Sequence, residues 1–357
     1  MSGPAFVAAP GPTNSLVDVA GLRVGHSTRR EPGWLTGTTV VVAPEGGAVC
    51  GVDVRGGGPG TRETDLLDPR NLVDRVNAVM IGGGSVFGLA AADGIVRALF
   101  ADGLGWPFGE PGQVAPIVPA AVLFDLDRGG HRERFPGPEE GATAYAAAHD
   151  GPVEQGLVGA GTGAASGGLK GAIGTASAVL PNGTTVAALV AVNSAGSPVD
   201  PRTGELYATR FGLGAEFEGI GVPKPAELEE CLARAAAAAE ASGRRGPGLA
   251  TTIGVIATDA TLTKAQCQKV AGIGHDGLAR AINPVHTIVD GDTLFAMATG
   301  TRSEPEFLEL FDLMHAAGDC VTRAVGHGLL AAESVDCTEQ GGVALRSWRD
   351  AFPSAVR

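Results

Sequence analysis

Aromatic residues are scarce in this chain of 357 residues: they make up 5% of the sequence, which is 44% hydrophobic overall and contains 56 glycines. A hydrophobic fraction of this size supports a large core and excludes a disordered chain. The core must therefore consist mainly of small aliphatic residues, with many tight turns and close backbone contacts. The length is compatible with one large domain or with two.

Cysteine, positive charge and long apolar runs are also in short supply. The five cysteines are odd in number and show no CxxC spacing, which predicts free thiols in a reducing compartment and no zinc-type site. A formal net charge of −13 argues against nucleic acid and an anionic membrane as partners. No apolar run reaches transmembrane length and residues 1–5 carry no basic charge, so we expect a soluble cytoplasmic protein.

Residues 248–258 combine a loop and a strand around two adjacent threonines. The preceding segment, 243–247, holds only Gly, Arg and Pro and predicts an exposed loop, whereas the β-branched run that follows predicts a buried strand. Cleavage of the Ala250–Thr251 bond would give Thr251 a free α-amine beside its hydroxyl. With a reference pKa of about 8, that amine can act as general base for the hydroxyl. The alternative is a Thr pair that merely opens a core strand.

Two glycine-rich segments lie upstream of this junction. In residues 55–64, the backbone can approach a neighbouring chain or a ligand closely; the alternative is a structural turn with an internal pair of Arg62 with Glu63 or Asp65. Residues 82–85 join a predicted strand to a helix predicted over 86–100.

The turn at residues 82–85 matches neither nucleotide-loop motif, GxGxxG or GxxxxGK[ST]. A strand, a glycine turn and a helix start can still gather backbone N–H groups around an anion. Gly83, Gly84 and Ser85 are therefore candidate donors to an oxyanion or to a substrate carboxylate. A plain tight turn is the alternative.

Two polar residues stand in apolar surroundings. Lys170, one of four lysines, follows a run of Gly, Ala, Ser and Thr; desolvation would favour its neutral amine, which can accept or relay a proton. A surface lysine in a loop is the alternative. Asn193 ends the second strand of a hairpin predicted around residues 181–183, where a turn Asn is the simpler interpretation.

The sequence Asp290-Gly291-Asp292 places two carboxylates on either side of one glycine, so both can point to one locus. Close to Thr251 they could orient its amine and accept its hydroxyl proton. DxD motifs also hold Mg²⁺ or Ca²⁺, but this loop lacks the further oxygen ligands of an EF-hand, so we favour proton transfer and expect no metal. We predict structural roles for His275 and His286, since no GxSxG elbow is present to receive a histidine base.

Together these blocks resemble the L-aminopeptidase/D-esterase family of self-processing N-terminal-nucleophile hydrolases, which includes β-peptidyl aminopeptidases and nylon-oligomer endo-hydrolases. The resemblance implies an α/β fold, namely a single-domain αββα sandwich. It also implies an enzyme that needs no cofactor and forms homo-oligomers, often tetramers. It implies a precursor cut into an N-terminal part, 1–250, and a C-terminal part, 251–357. The matching blocks are residues 55–64, 82–89, 251–257, 278–287 and 290–296.

The resemblance also implies the roles of the site residues. Thr251 would attack an amide carbonyl and form an acyl-enzyme, while the Asn193 side chain would donate to the oxyanion. The side chains of Asp290, Asp292 and Lys170 would accept protons and pass them on during the reaction. A Thr nucleophile with two aspartates resembles the nylon-oligomer hydrolases, so 6-aminohexanoate oligomers or short peptides and amino-acyl amides are the expected substrates. The alternative is an aminopeptidase acting on β- or α-amino-acyl substrates.

Two positions depart from the family pattern. Phe124 stands where some relatives carry an active-site Tyr. Residue 250 is commonly Asn in Thr-dependent members; Ala250 offers no side-chain hydrogen bond, and a misplaced carbonyl can cost orders of magnitude in rate. We therefore predict slow or absent maturation. The rival functions are a processing-defective homologue that only binds amides and a metal-dependent phosphohydrolase that uses Asp290 and Asp292.

Overall fold

The computed structural model describes residues 8–241 and 248–357. The predicted exposed loop at 243–247 lies outside the described residues. In chain order the strands are β1 (Arg23–Arg29), β2 (Thr36–Val42), β3 (Ala48–Val54), β4 (Gly60–Arg62), β5 (Arg75–Val76), β6 (Ala78–Gly82), β7 (Trp106–Pro107), β8 (Val114–Ala115), β9 (Ala120–Val122), β10 (Ala165–Ser166), β11 (Leu169–Lys170), β12 (Ile173–Val179), β13 (Thr185–Ala191), β14 (Ile253–Thr258), β15 (Thr293–Ala298), β16 (Val335–Asp336) and β17 (Ala344–Leu345). The α-helices are α1 (Ser85–Gly88), α2 (Ala91–Ala101), α3 (Pro138–Ala146), α4 (Pro225–Ala241), α5 (Lys264–Ala281), α6 (Phe307–Ala331) and α7 (Trp348–Ala351).

Two large sheets form the centre of the molecule. One has six strands in the order β12-β13-β14-β15-β3-β5, and the other has five in the order β1-β2-β6-β9-β4. Helices α5 and α6 pack on the six-stranded sheet, while α2 and α3 pack against each other and on the five-stranded sheet. The resulting layers are helix, sheet, sheet and helix, which confirms the predicted αββα sandwich.

The side chains of β14 explain why this strand reads as a continuous apolar run. All six of its residues are buried. Val255 and Ala257 belong to the core between the two sheets, whereas Ile256 belongs to the core under α5 and α6. A strand covered on both faces has no polar side to alternate with its apolar one.

The same sheet draws strands from both sides of the Ala250–Thr251 bond. Strands β3, β5, β12 and β13 precede the bond, and β14 and β15 follow it. Strand β14 pairs antiparallel with β13 and parallel with β15, so it lies inside the sheet. Residues on both sides of the bond therefore form one structural domain.

The predicted hairpin is β12–β13, with Gly183 at a φ of 82° in its turn. The helix predicted over 86–100 is interrupted: the chain forms α1, breaks, and continues as α2. Gly84 and Ser85 enter α1 with positive φ values of 82° and 51°. Within the described ranges, no helix combines the length and the apolar composition that crossing a bilayer requires.

Candidate active site

Thr251 lies just before β14, where the end of β13 and the turn before β15 meet it. Its backbone N–H donates to the carbonyl oxygen of Asn193 at 2.6 Å. The N–H of the next residue, Thr252, donates to Asp292 Oδ1 at 2.7 Å. Thr251 is only 4% exposed. The sheet thus brings the predicted nucleophile beside two other predicted site residues.

The peptide group between Ala250 and Thr251 is held by backbone hydrogen bonds. The Ala250 N–H donates to the Val289 carbonyl at 3.1 Å, and the Ala250 carbonyl accepts from the Gly291 N–H at 3.0 Å. The Thr251 hydroxyl donates to the same carbonyl oxygen. A Cβ at Gly291 would lie 2.7 Å from Thr251 Oγ1, so a side chain would crowd this position. The carbonyl of residue 250 is therefore anchored without any help from its side chain.

Asp290 is buried and accepts hydrogen bonds on both carboxylate oxygens. Its Oδ1 accepts from the Ala195 N–H at 3.2 Å. Its Oδ2 accepts from the Thr287 N–H at 2.9 Å and from the Thr287 hydroxyl. These neutral donors compensate the desolvation of the carboxylate. Asp290 is thereby fixed in place, and it forms an isolated parallel β-bridge with Ala250.

Asp292 is bound by a different set of donors. Besides Thr252, it accepts on Oδ2 from His286, through ring Nδ1 at 2.7 Å and the backbone N–H at 3.2 Å. His286 also has a φ of 55°, an uncommon backbone region for a residue other than glycine. Its ring packs edge to face against the His275 ring, with 4.7 Å between the two ring centroids. His286, predicted to be structural, therefore contacts a predicted site residue directly.

His275 itself remains a structural residue in this arrangement. Its ring Nε2 lies 2.9 Å from the carbonyl oxygen of Asp53. Burial lowers its pKa from 6.5 to about 4. Across residues 8–241 and 248–357, the structure contains no group of three or more His, Cys, Asp or Glu side chains arranged to hold a metal ion.

The glycine-rich segment 55–64 packs on the Asp290–Asp292 turn. The Gly56 N–H donates to the Asp292 carbonyl at 3.2 Å, and the Gly58 N–H donates to the Asp290 carbonyl at 2.8 Å. A Cβ at Gly56 would lie 2.2 Å from the Asp292 nitrogen. The predicted close approach is therefore to the chain's own turn, and glycine permits it.

The alternative of an internal ion pair in this segment is wrong. Arg62 pairs with Asp93 of α2 at 2.6 Å, and neither Glu63 nor Asp65 takes its place. The pair anchors β4 to the neighbouring helix. The glycine stretch itself contacts the Asp290–Asp292 turn through its backbone and not through this ion pair.

Lys170 is completely buried, so the alternative of a surface lysine is wrong. Its ammonium group donates to three carbonyl oxygens: Gly171 at 2.6 Å, Ala164 at 2.8 Å and Gly161 at 3.0 Å. Burial, and secondarily the positive charge of Arg128, lowers the pKa of Lys170 well below its usual value. The three carbonyl groups oppose that shift because they are good acceptors for an ammonium.

Asn193 connects the nucleophile to the loop after β9. Its Oδ1 accepts from Arg128 Nη1 at 2.6 Å and from the Ala165 N–H at 3.0 Å. Its Nδ2 donates to the carbonyl oxygen of Phe124 at 3.3 Å. Phe124 thus contributes its backbone carbonyl to the surroundings of Asn193. Asn193 is fully buried.

The predicted role of Gly83, Gly84 and Ser85 as anion donors finds no support in the geometry. The Gly83 and Ser85 N–H groups already donate to backbone carbonyl groups at 2.9 and 3.0 Å. The Gly84 N–H donates to Asp125 Oδ1 at 2.6 Å. All three donors are used within the protein, which corresponds to the alternative of a structural turn.

Sequence comparison identifies relatives along most of the chain. A model of peptidase family S58 matches residues 14–342. An uncharacterized aminopeptidase of Mycobacterium leprae is 46% identical over 350 residues, covering 91% of this chain and 92% of that protein. A 6-aminohexanoate-oligomer endohydrolase of Kocuria sp. is 28% identical over 287 residues, covering 79% of this chain and 74% of that enzyme.

Solved structures show the same fold. A β-aminopeptidase of Burkholderia sp. superimposes with a TM-score of 0.71 at 24% identity, covering 98% of this chain and 96% of that one. The L-aminopeptidase D-Ala-esterase/amidase of Ochrobactrum anthropi, described as a variant of the Ntn hydrolase fold, gives a TM-score of 0.71 at 22% identity over 97% and 93% of the two chains. With the family model matching nearly its whole length, the chain belongs to peptidase family S58 and is a hydrolase of peptide or amide bonds.

Proposed function

We propose that the chain is a self-processing amide hydrolase whose nucleophile, Thr251, becomes the N-terminus of the part 251–357. The observation that carries this proposal is the anchored Ala250–Thr251 peptide group, with the Thr251 hydroxyl on the Ala250 carbonyl and the Gly291 N–H on the same oxygen. A donor fixed at a carbonyl oxygen stabilises the negative charge that develops there during nucleophilic attack.

Self-cleavage would proceed through an ester. The Thr251 oxygen bonds to the Ala250 carbonyl carbon, the C–N bond breaks, and the hydroxyl proton ends on the released amine. Water then hydrolyses the ester and frees the carboxyl group of Ala250. The buried carboxylates of Asp290 and Asp292, held beside the junction, are the groups proposed to accept and return protons.

The mature enzyme would use the same residues on an external amide. The α-amine of Thr251 acts as the base for its own hydroxyl, and the Asn193 side chain donates to the oxyanion. Lys170 is buried, and its Nζ donates to the Ala164 carbonyl, one residue before the N–H that donates to Asn193 Oδ1; it is proposed to take part in proton transfer. No cofactor enters this mechanism, and membership of a peptidase family removes the support for a phosphohydrolase.

Two substrate classes are consistent with the comparisons. The higher identity to mycobacterial aminopeptidases supports amino-acyl amides and short peptides. The similarity to 6-aminohexanoate-oligomer endohydrolases, together with the Thr and paired Asp residues, supports nylon oligomers. Turnover of β- and α-amino-acyl p-nitroanilides compared with that of 6-aminohexanoate oligomers separates the two classes.

Thr251→Ala tests the nucleophile, and Thr252→Ala is its matched control. In intact-mass and N-terminal analysis, the fraction of the protein that matures should show pieces of about 25 and 11 kDa from the 35.7 kDa chain, the smaller one beginning with Thr251. Thr251→Ala should abolish both cleavage and hydrolysis. Thr252→Ala should keep both, because the buried Thr252 hydroxyl has no hydrogen-bond partner among the residues that the structure describes. The reverse pattern would assign the nucleophile to Thr252.

A further inference from the structure

Arg128 reaches the middle of the site from the loop between β9 and α3. Its Nη1 donates to Asn193 Oδ1 at 2.6 Å and to the carbonyl oxygen of Gly163 at 2.5 Å. The residue is half-buried. One guanidinium nitrogen therefore bridges Asn193 and the segment that leads to Lys170.

The contact determines which end of the Asn193 amide is the donor. A guanidinium has only donors, and the other partner of Oδ1, the Ala165 N–H, is a donor as well. Rotating the amide by half a turn would place its NH₂ group against both donors. The NH₂ group is thereby confined to the opposite end, where it now meets the Phe124 carbonyl.

The Arg128 charge also acts on Lys170. The charged groups that influence the Lys170 amine are Arg128, Asp125 and Arg30. The two arginines lower the pKa of Lys170, whereas Asp125 raises it. Since an Arg side chain stays charged at all relevant pH values, Arg128 is a constant contributor to this balance.

We propose that Arg128 is a positioning residue that holds the Asn193 amide with its NH₂ group available as the oxyanion donor. The inference rests on the proposed function, in which Asn193 stabilises the oxyanion. A donor that must serve a short-lived charge gains from being oriented before the reaction, because no reorganisation is then needed.

A double-mutant cycle tests whether Arg128 acts through Asn193. Arg128→Met removes the donor and the charge at similar length, and we expect kcat to fall about 10- to 10²-fold with KM little changed, less than the about 10²- to 10³-fold expected for losing an oxyanion donor. In the Asn193→Ala background the same change should cost less than about threefold. Where a variant matures too slowly for kcat to be measured, the cleavage half-time of its precursor is compared with that of wild type instead.

The pH profile supplies a second readout. Loss of the Arg128 charge favours the ammonium form of Lys170, so a rate that needs the neutral amine should rise at a higher pH in Arg128→Met. Arg128→Lys retains a charge and a donor, so its kcat should stay within about tenfold of wild type. The rate should also rise with pH over the same range as in wild type. Arg132→Met, at an exposed arginine of the same loop paired with Asp127, is the control and should behave as wild type.

Three results would overturn the inference: wild-type kcat in Arg128→Met, equal losses in both backgrounds, or the same loss in Arg128→Lys as in Arg128→Met. If Arg128→Met fails to fold, Arg128→Lys and Arg128→Gln carry the same comparison. Failure of the proposed function is seen separately, since Thr251→Ala or Asn193→Ala would then remain active.

Discussion

Thr251 and the four polar residues assigned to its site are widely separated in the chain, yet none is more than 4% exposed. Their polar side-chain atoms are hydrogen-bonded to backbone groups and to the side chains of Arg128, Thr287 and His286. Thr251 is only 4% exposed, whereas the Ala250 carbonyl already accepts a hydrogen bond from its Oγ1. The arrangement at the residue scale therefore favours cleavage of the chain's own bond first.

Ala250→Asn is the substitution that tests maturation. We expect the wild-type chain to persist largely as the 357-residue precursor, since Ala250 supplies no polar group to assist the attack. The backbone hydrogen bonds of residue 250 already position its carbonyl, so an Asn side chain would add only a further donor or acceptor. The cleavage half-time of Ala250→Asn, followed by intact mass in fresh protein, should be shorter than that of wild type.

A rapid and complete appearance of both fragments in the wild-type chain would contradict this expectation. Ala250→Gly is the control, because it removes the Cβ without adding a polar group. If Gly accelerates cleavage as much as Asn does, backbone freedom rather than side-chain chemistry limits the reaction.

Some residues of the candidate site stand out in the sequence, and others do not. Thr251 is marked by the change from loop to strand, and the paired Asp290 and Asp292 by their position before another strand. Arg128 lies 65 positions from its partner Asn193, and no periodicity encodes that contact. His286 carries a weak signal, its place six residues before Asp292, but this spacing alone does not show that its ring contacts the Asp292 carboxylate.

At the scale of elements, the glycine stretch at 55–64 and the turn at 290–292 act as one unit. The sequence predicted that the glycines allow a close approach, but not what they approach, because the two segments are more than 200 positions apart. The strands and the hairpin were predictable from the pattern of apolar residues and from the turn residues between them. The break between α1 and α2 was not, since it depends on how the chain leaves the turn at Gly84.

Gly56→Ala tests this unit, with Gly46→Ala as its matched control. A methyl group at Gly56 would lie 2.2 Å from the Asp292 nitrogen, whereas one at Gly46 would have nothing within 4 Å. We expect Gly56→Ala to lower the free energy of unfolding by about 1–3 kcal/mol, as overpacking does, and to reduce turnover by displacing Asp292. Denaturant melts and kcat would show this; Gly46→Ala should stay within about 0.5 kcal/mol of wild type. Equal effects at both positions would refute the explanation.

At the scale of the whole molecule, two histidines, the half-buried His26 and the buried His275, make stability depend on pH. Burial lowers the pKa of His26 and of His275 from 6.5 to about 4. Between these values the unfolded chain binds more protons than the folded one, so stability rises with pH. Their contribution is complete above about pH 6.5 and is lost as the pH falls toward 4, by about 3 kcal/mol for each histidine.

Melting temperatures between pH 4 and 7.5 check this dependence. His275→Gln keeps a donor for the Asp53 carbonyl and removes the titration, so its melting temperature should fall less steeply with acid than that of the wild type. His131, an exposed histidine, provides the control substitution His131→Gln, which should leave the slope unchanged. Parallel curves for His275→Gln and wild type would exclude His275 as a cause.

The enclosure of Lys170 has a consequence for chemical labelling. Amine-directed reagents need physical access to the nitrogen, and the Lys170 Nζ is surrounded by the three carbonyl oxygens of its own loop. Lys224 and Lys269 are exposed and offer an internal reference on the same chain. The ratio of modification at Lys170 to modification at these two lysines therefore measures how often the interior of the site opens to solvent, in the precursor and after cleavage, without any substrate being present.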